Sequence, residues 1–263
     1  MSLVSTERRG GVAIVTYANL PIGTMTAAGS NEMLEAMTAL AEDVSVRAVV
    51  ITGGMPGVFI RHYDVGELSV MSDGLANPAP STPPAAPRGP GFLALTDFIV
   101  ALDKPVIAAI NGLCMGGGFE LSLACDLRIA GRDVPAIGLP ETRVGIFPGG
   151  GGTQRLPRLV GEAKALEMIL RGLTVDGPGA GALGMVHEVA DAPLARALEI
   201  AAELATRPAE GLAFAKHLTR AALDRPLAEG LADERASFLA VMRTASAREA
   251  LRAARQPVEI QKA

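Results

Sequence analysis

The chain has 263 residues, a formal net charge of −4, 49% hydrophobic residues, 3% aromatics and no tryptophan. That is enough apolar material for one large core built from Ala, Val, Leu, Ile and Met, and the acidic balance argues against a nucleic-acid-binding surface, which needs a basic stripe. No stretch approaches ~18 uninterrupted apolar residues and no secretory apolar run opens the chain, so a soluble cytoplasmic protein without membrane partners is expected.

Strand and helix signals alternate over the first two-thirds. Residues 11–17 (GVAIVTY) predict a strand, and residues 30–42 a helix capped by Ser30 or Asn31. Residues 47–52 (RAVVIT) predict a buried strand ended by Gly53-Gly54. Residues 76–90 hold six of the 18 prolines. Proline removes backbone donors, so this segment predicts an extended surface loop or a lid over a substrate entrance. A helix is expected from Phe92, strands at 105–110 and 126–130, and a further strand at 186–189. This βα alternation predicts an α/β fold with a mostly parallel sheet. From residue 192 the signals are helical only, broken near Pro208, Pro226 and Ser246. The expected organisation is a core of residues 1–191 carrying the site and a helical subdomain of residues 192–263 that covers it or mediates oligomerisation.

Two glutamates in glycine-rich frames stand out, 21 residues apart. The stretch INGLCMGGGFELSLACD places Gly116, Gly117 and Gly118 between a buried strand and a helix. The Gly117 N–H then lies at a helix N-terminus, where free donors and the macrodipole favour developing negative charge. Glu120, three residues on, shares that face. The second frame, GLPETRVGIFPGGGGTQRLPRLVG, carries Glu141 after Pro140 and predicts a helix capped at Thr153. It lacks the GK[ST] of a phosphate loop and the third glycine spacing of a dinucleotide fingerprint. No G-x-S-x-G elbow or HExxH is present. His187 and His217 read as ordinary core or surface histidines, no metal-ligand spacing occurs, and Cys114 and Cys125 read as buried free thiols of a reducing compartment.

Taken together, NG-x-C-x-GGGFEL-x-x-ACD, GLPE-x-x-x-G-x-x-PGGGGTQRLPR-x-VG and the C-terminal AEGLAFAK and PLAEGLADE stretches resemble the crotonase (enoyl-CoA hydratase/isomerase) superfamily over nearly the whole chain. The resemblance implies a spiral of ββα units with C-terminal helices that assemble trimers or hexamers. It implies an acyl-CoA substrate, with coenzyme A part of the substrate and no separate cofactor. It places two oxyanion donors at the N–H groups of Tyr63 and Gly117. Glu120 would activate water for attack at C3 and Glu141 would deliver a proton to C2. Ile60, Arg61, His62, Asp64, Gly116, Gly118, Pro140 and Gly149 would surround the substrate. Two features depart from the family. His62 and Tyr63 stand where a glycine and a small residue are usual, and Asn19-Leu20-Pro21 lacks a basic residue often found beside the CoA; Lys216, Arg252 and Arg255 are alternative sources of positive charge. Hydration of a 2-enoyl-CoA is the expected activity. The alternatives are a double-bond isomerase or other lyase, and a non-catalytic acyl-CoA-binding homologue.

Overall fold

A computed structural model describes residues 2–76 and 91–255. The Pro-rich loop and its suggested role as a lid lie outside the described residues, except that Ala76 ends a helix. A polar, exposed strand β1 (Val4–Arg9) turns at Gly10, where φ is +60°, into the apolar strand β2 (Val12–Tyr17). Helix α1 (Ala27–Glu42) follows. Its cap is Thr26, whose hydroxyl accepts the Gly29 N–H at 3.0 Å. The expected caps Ser30 and Asn31 lie inside the helix. The extended backbone at Thr26 starts it earlier, and the Ser30 hydroxyl donates to the Thr26 carbonyl at 2.8 Å.

Next come β3 (Ala48–Gly53), β4 (Val58–Ile60), α2 (Val65–Ala76), α3 (Gly91–Ala101), β5 (Val106–Ile110), β6 (Leu113–Met115), α4 (Gly117–Ala124), β7 (Leu127–Gly131) and β8 (Ile137–Gly138). A 3-10 turn, Glu141–Val144, leads to α5 (Gly152–Val160), α6 (Glu162–Leu170), β9 (Thr174–Val175), α7 (Gly177–Ala182) and β10 (Glu188–Ala190). The chain closes with α8 (Pro193–Ala205), α9 (Ala209–Ala221), α10 (Leu227–Val241) and α11 (Ala245–Ala254).

The large sheet runs β1-β2-β3-β5-β7-β10, antiparallel only between β1 and β2, and the small sheet runs β4-β6-β8-β9. Three times the chain leaves the large sheet for the small one and returns through helices: β3 to β4, β5 to β6, β7 to β8. This is the expected α/β spiral of ββα units. Val15, Val49, Ile51 and Ala108 pack inward with Met33 of α1, Leu95 of α3 and Phe119 of α4. The opposite face, with Val12, Val50, Ile107 and Ile129, is covered by Ala197 and Ala201 of α8. Small side chains at those two positions let the helix approach the sheet closely.

Helices α9, α10 and α11 contribute no buried residue. A polar tie holds α9. Asp126 accepts from Lys216 Nζ at 3.0 Å and Arg220 at 2.7 Å, and also from the Val106 N–H at 2.8 Å. The Lys216 ammonium additionally donates to the Ile99 and Lys104 carbonyls, and its side chain is only 7% exposed. Lys216 is therefore a structural tie, not the free cation for CoA phosphates that its charge suggested. Arg252 sits on the exposed α11 and Arg255, also exposed, caps its C-terminus.

Candidate active site

The first glycine frame folds as it does because helix α4 packs directly on the small-sheet strand β4. Gly116 has φ of +50° and caps α4. A Cβ on Gly118 would lie 2.0 Å from the Ile60 carbonyl oxygen, so only glycine lets α4 sit on β4. Ile60 itself is fully buried. One residue earlier, a Cβ on Gly117 would lie 3.3 Å from the Tyr63 nitrogen, which puts these two backbone positions side by side.

The directions of their N–H groups follow from the neighbours. Met25 donates to the His62 carbonyl and accepts from the Asp64 N–H, both at 2.8 Å. This parallel bridge turns the intervening Tyr63 N–H away from Met25. Arg61 N–H goes to the Gly23 carbonyl and Gly116 N–H to the Gly138 carbonyl, each at 2.9 Å. Gly117 opens α4, so its N–H is among those a helix leaves without an internal partner. Two amide donors thus sit together at one helix N-terminus, the layout that stabilises an oxyanion.

Glu120 projects from the first turn of α4 and is buried. Its Oε1 accepts the N–H groups of Gly150 at 2.7 Å and Gly152 at 2.9 Å. Burial pushes its pKa up, while those two amides and the Arg155 guanidinium oppose the shift. Arg155 in turn donates to the Gly150 carbonyl at 2.8 Å. The glycine run after Pro148 therefore works as a cradle. A Cβ at Gly150 would lie 2.7 Å from Glu120 Oε2, and one at Gly152 would lie 3.1 Å from Oε1. Gly151, with φ of +105°, caps α5, in place of the expected Thr153.

Glu141 opens the 3-10 turn after Pro140, whose carbonyl accepts the Arg143 N–H at 3.0 Å. Among the described residues its buried Oε2 has no hydrogen-bond partner. Burial, with a smaller contribution from the Glu120 charge, pushes its pKa up to about 7. The same carboxyl faces Gly116, where a Cβ would lie 3.4 Å from Glu141 Oε1 and 3.4 Å from His62 Cβ.

The structure brings together Glu120, Glu141, Gly116, Gly117, His62 and Tyr63. The His62 ring is half-buried, with Nδ1 2.7 Å from the Tyr63 carbonyl. The Tyr63 ring meets Phe92 edge to face at 5.8 Å and 72°, and burial beside the Glu67 carboxylate pushes its hydroxyl pKa up. Other positions lie further out. Arg61 is exposed. Asp64 accepts the Glu67 N–H and the Thr24 hydroxyl, each at 3.0 Å, and so caps α2. Gly149 is exposed, and a Cβ there would meet nothing nearer than the Phe147 carbonyl at 4.0 Å.

Sequence reasoning missed Gly150, Gly152, Arg155 and Phe92. The four-glycine run was the available signal for the cradle, but which amides face the carboxylate depends on where α5 begins. His187, pushed down to about 4 by burial and by Arg128, accepts the Arg128 N–H at 3.2 Å. His217 pairs with Asp103 at 2.7 Å on the surface. Both lie outside the site, and Cys114 and Cys125 are free and buried, as expected. Among the described residues no group of three or more His, Cys, Asp or Glu could hold a metal, and no helix is long and apolar enough to cross a membrane.

Known proteins resemble this chain in sequence and fold. The family profile described as Enoyl-CoA hydratase/isomerase matches residues 7–258. A rat (Rattus norvegicus) protein named methylglutaconyl-CoA hydratase, mitochondrial, is 36% identical over 82% of this chain and 68% of its own length. The YngF protein of Bacillus subtilis, whose name places it among enoyl-CoA hydratases/isomerases, is 36% identical over 96% of this chain and 94% of its own. The crystal structure of an enoyl-CoA hydratase from Bacillus anthracis superposes with a TM-score of 0.84 at 30% identity, covering 95% of each chain.

Proposed function

This chain belongs to the enoyl-CoA hydratase/isomerase family, and we propose that within it the protein is an enoyl-CoA hydratase, adding water across the 2,3 double bond of a 2-enoyl-CoA thioester or running the reverse dehydration. The observation that carries the reading is the unequal environment of the two glutamates. Glu120 has two amide donors on one oxygen; Glu141 has a buried oxygen without a partner among the described residues and a pKa raised to about 7. Amide donors favour the carboxylate and burial favours the acid, so one proton shared by the pair belongs on Glu141 near neutral pH.

The chemistry balances on that arrangement. The thioester oxygen accepts the N–H groups of Tyr63 and Gly117. Ionised Glu120 takes a proton from water as the water oxygen bonds to C3. The π electrons move onto the thioester oxygen as an enolate, which the two donors hold. The enolate collapses as Glu141 passes its proton to C2. The pair has gained one proton and lost one, and transfer from Glu120 back to Glu141 restores the starting state. Ile60, Gly116, Gly118 and Pro140 shape the backbone around this centre, and His62 adds a polar group beside Glu141.

Incubating the purified protein with crotonyl-CoA, longer 2-enoyl-CoAs and a 3-enoyl-CoA tests the reading. Formation of 3-hydroxyacyl-CoA, lost in Glu141→Gln, is the expected result. Migration of the double bond without hydration would make the protein an isomerase. Tight acyl-CoA binding with no product from any substrate would make it a non-catalytic binder.

A further inference from the structure

Three successive peptide units make the Glu120 cradle, and they point in alternate directions. The Gly150 and Gly152 N–H groups face inward and donate to Glu120 Oε1 at 2.7 and 2.9 Å. The unit between them joins Gly150 to Gly151. Its carbonyl is held by Arg155, whose Nη1 donates to the Gly150 oxygen at 2.8 Å. Gly151, with φ of +105°, makes the reversal, and a Cβ there would run into the Arg155 guanidinium. A concave run of amides holds an anion. It does so only while the intervening carbonyl stays outside, because an oxygen turned inward would be set against the carboxylate.

Arg155 is itself fixed. Its N–H donates to the Gly151 carbonyl at 2.8 Å in the first turn of α5. Its side chain is only 22% exposed, and Nη2 lies 3.7 Å from Asp97 of α3. We propose that Arg155 is a positioning residue for hydration: it holds the 150–151 peptide with its carbonyl outward and so keeps the Gly150 and Gly152 amides on the Glu120 carboxylate that activates water. The proposal rests on the hydratase reading above and deepens it. The guanidinium charge works in the same direction, against the burial that favours the acid form of Glu120. The charged groups that act on Glu120 are Arg155 of α5 and Glu141 of the 3-10 turn, while Asp97 of α3, Arg220 of α9 and the Cys125 thiol act on Arg155.

Titration of 13C-labelled glutamate carboxyls followed by NMR tests this without turnover. In a Glu141→Gln background Glu120 titrates without its coupled neighbour, and its signal is the one that a further Glu120→Gln removes. Arg155→Met keeps an apolar stem and removes both donor and charge. It should raise the Glu120 midpoint by about one pH unit or more. In the otherwise wild-type protein it should lower kcat for crotonyl-CoA roughly 10- to 100-fold with KM within about twofold, and move the acid limb of the pH–rate profile upward. Arg155→Lys keeps the charge, so its midpoint should stay within about 0.3 pH units of the parent. Its kcat should still fall about threefold or more, because one ammonium cannot serve the carbonyl and Asp97 as a planar fork does. The lysine variant serves if the methionine variant does not fold. An unmoved Glu120 midpoint in a folded methionine variant would overturn the proposal, as would a kcat loss without a shifted limb, or a lysine variant at the wild-type kcat. A midpoint that moves in a protein without hydration leaves the hold of Arg155 on Glu120 and removes the hydratase. Hydration with both midpoint and kcat unmoved by Arg155→Met does the reverse.

Discussion

Glu141 carries two consequences of one buried oxygen. Its carboxyl must be protonated to deliver a proton to C2, so hydration kcat/KM should fall as pH rises through about 7, and a pH–rate profile checks this. The same shift acts on stability. The folded-state value is raised from the ordinary 4.5 to about 7, so the folded protein loses the proton less readily than the unfolded chain. Ionising this buried group therefore costs stability, with no cost below about pH 4.5 and the full cost above about pH 7. By linkage the shift is worth roughly 3 kcal/mol, of which about 1–2 kcal/mol should survive solvent screening at a half-buried carboxyl. Glu141→Gln should accordingly raise the melting temperature at pH 8 and leave it unchanged at pH 4. Gly150→Ala is the complementary test of the cradle. Its Cβ would fall 2.5 Å from the Phe92 ring and 2.7 Å from Glu120 Oε2. It should lower kcat at least tenfold while circular dichroism shows an intact fold.

The elements differ in what holds them. Helix α4 is buried throughout, whereas α9 depends on Asp126. Asp126→Ala would strand the Lys216 ammonium, which is nearly enclosed, and free the Val106 N–H. A loss of about 3 kcal/mol is expected, read by urea unfolding. Element scale is also where the sequence was easiest and hardest to read. Strands β2, β3, β5 and β7 were legible because runs such as VAIVTY and AVVITG are β-branched and buried. Strand β1, VSTERR, was not anticipated, because its polar residues stay exposed at the edge of the sheet. The small sheet was invisible, since strands of two or three residues have no period to detect. The two glutamates and Gly117 were legible from their frames. The Glu120 cradle was not, because its donors are backbone amides of glycines that look alike in sequence.

At the scale of the molecule, the spiral sets the site just past the ends of the small-sheet strands β4, β6 and β8. Tyr63 follows the small-sheet strand β4, and Glu120 and Gly117 lie on the helix that follows β6. Beyond this core, α10 exposes Phe238 and Leu239 at 61% and 60%. Apolar side chains that open to solvent on an outer helix suit burial against further copies of the chain. The resemblance to the family then predicts a homotrimer or homohexamer, which light scattering during size-exclusion chromatography would detect; a monomer at micromolar concentration would contradict it. The catalytic claim is tested most directly by turning over crotonyl-CoA in 18O-labelled water with the wild type, Glu120→Gln and Glu141→Gln. The geometry predicts a 3-hydroxy product carrying one labelled oxygen at C3, and a loss of roughly 10²–10⁴-fold in rate in either variant. An unlabelled product, or variants that turn over at the wild-type rate, would contradict it.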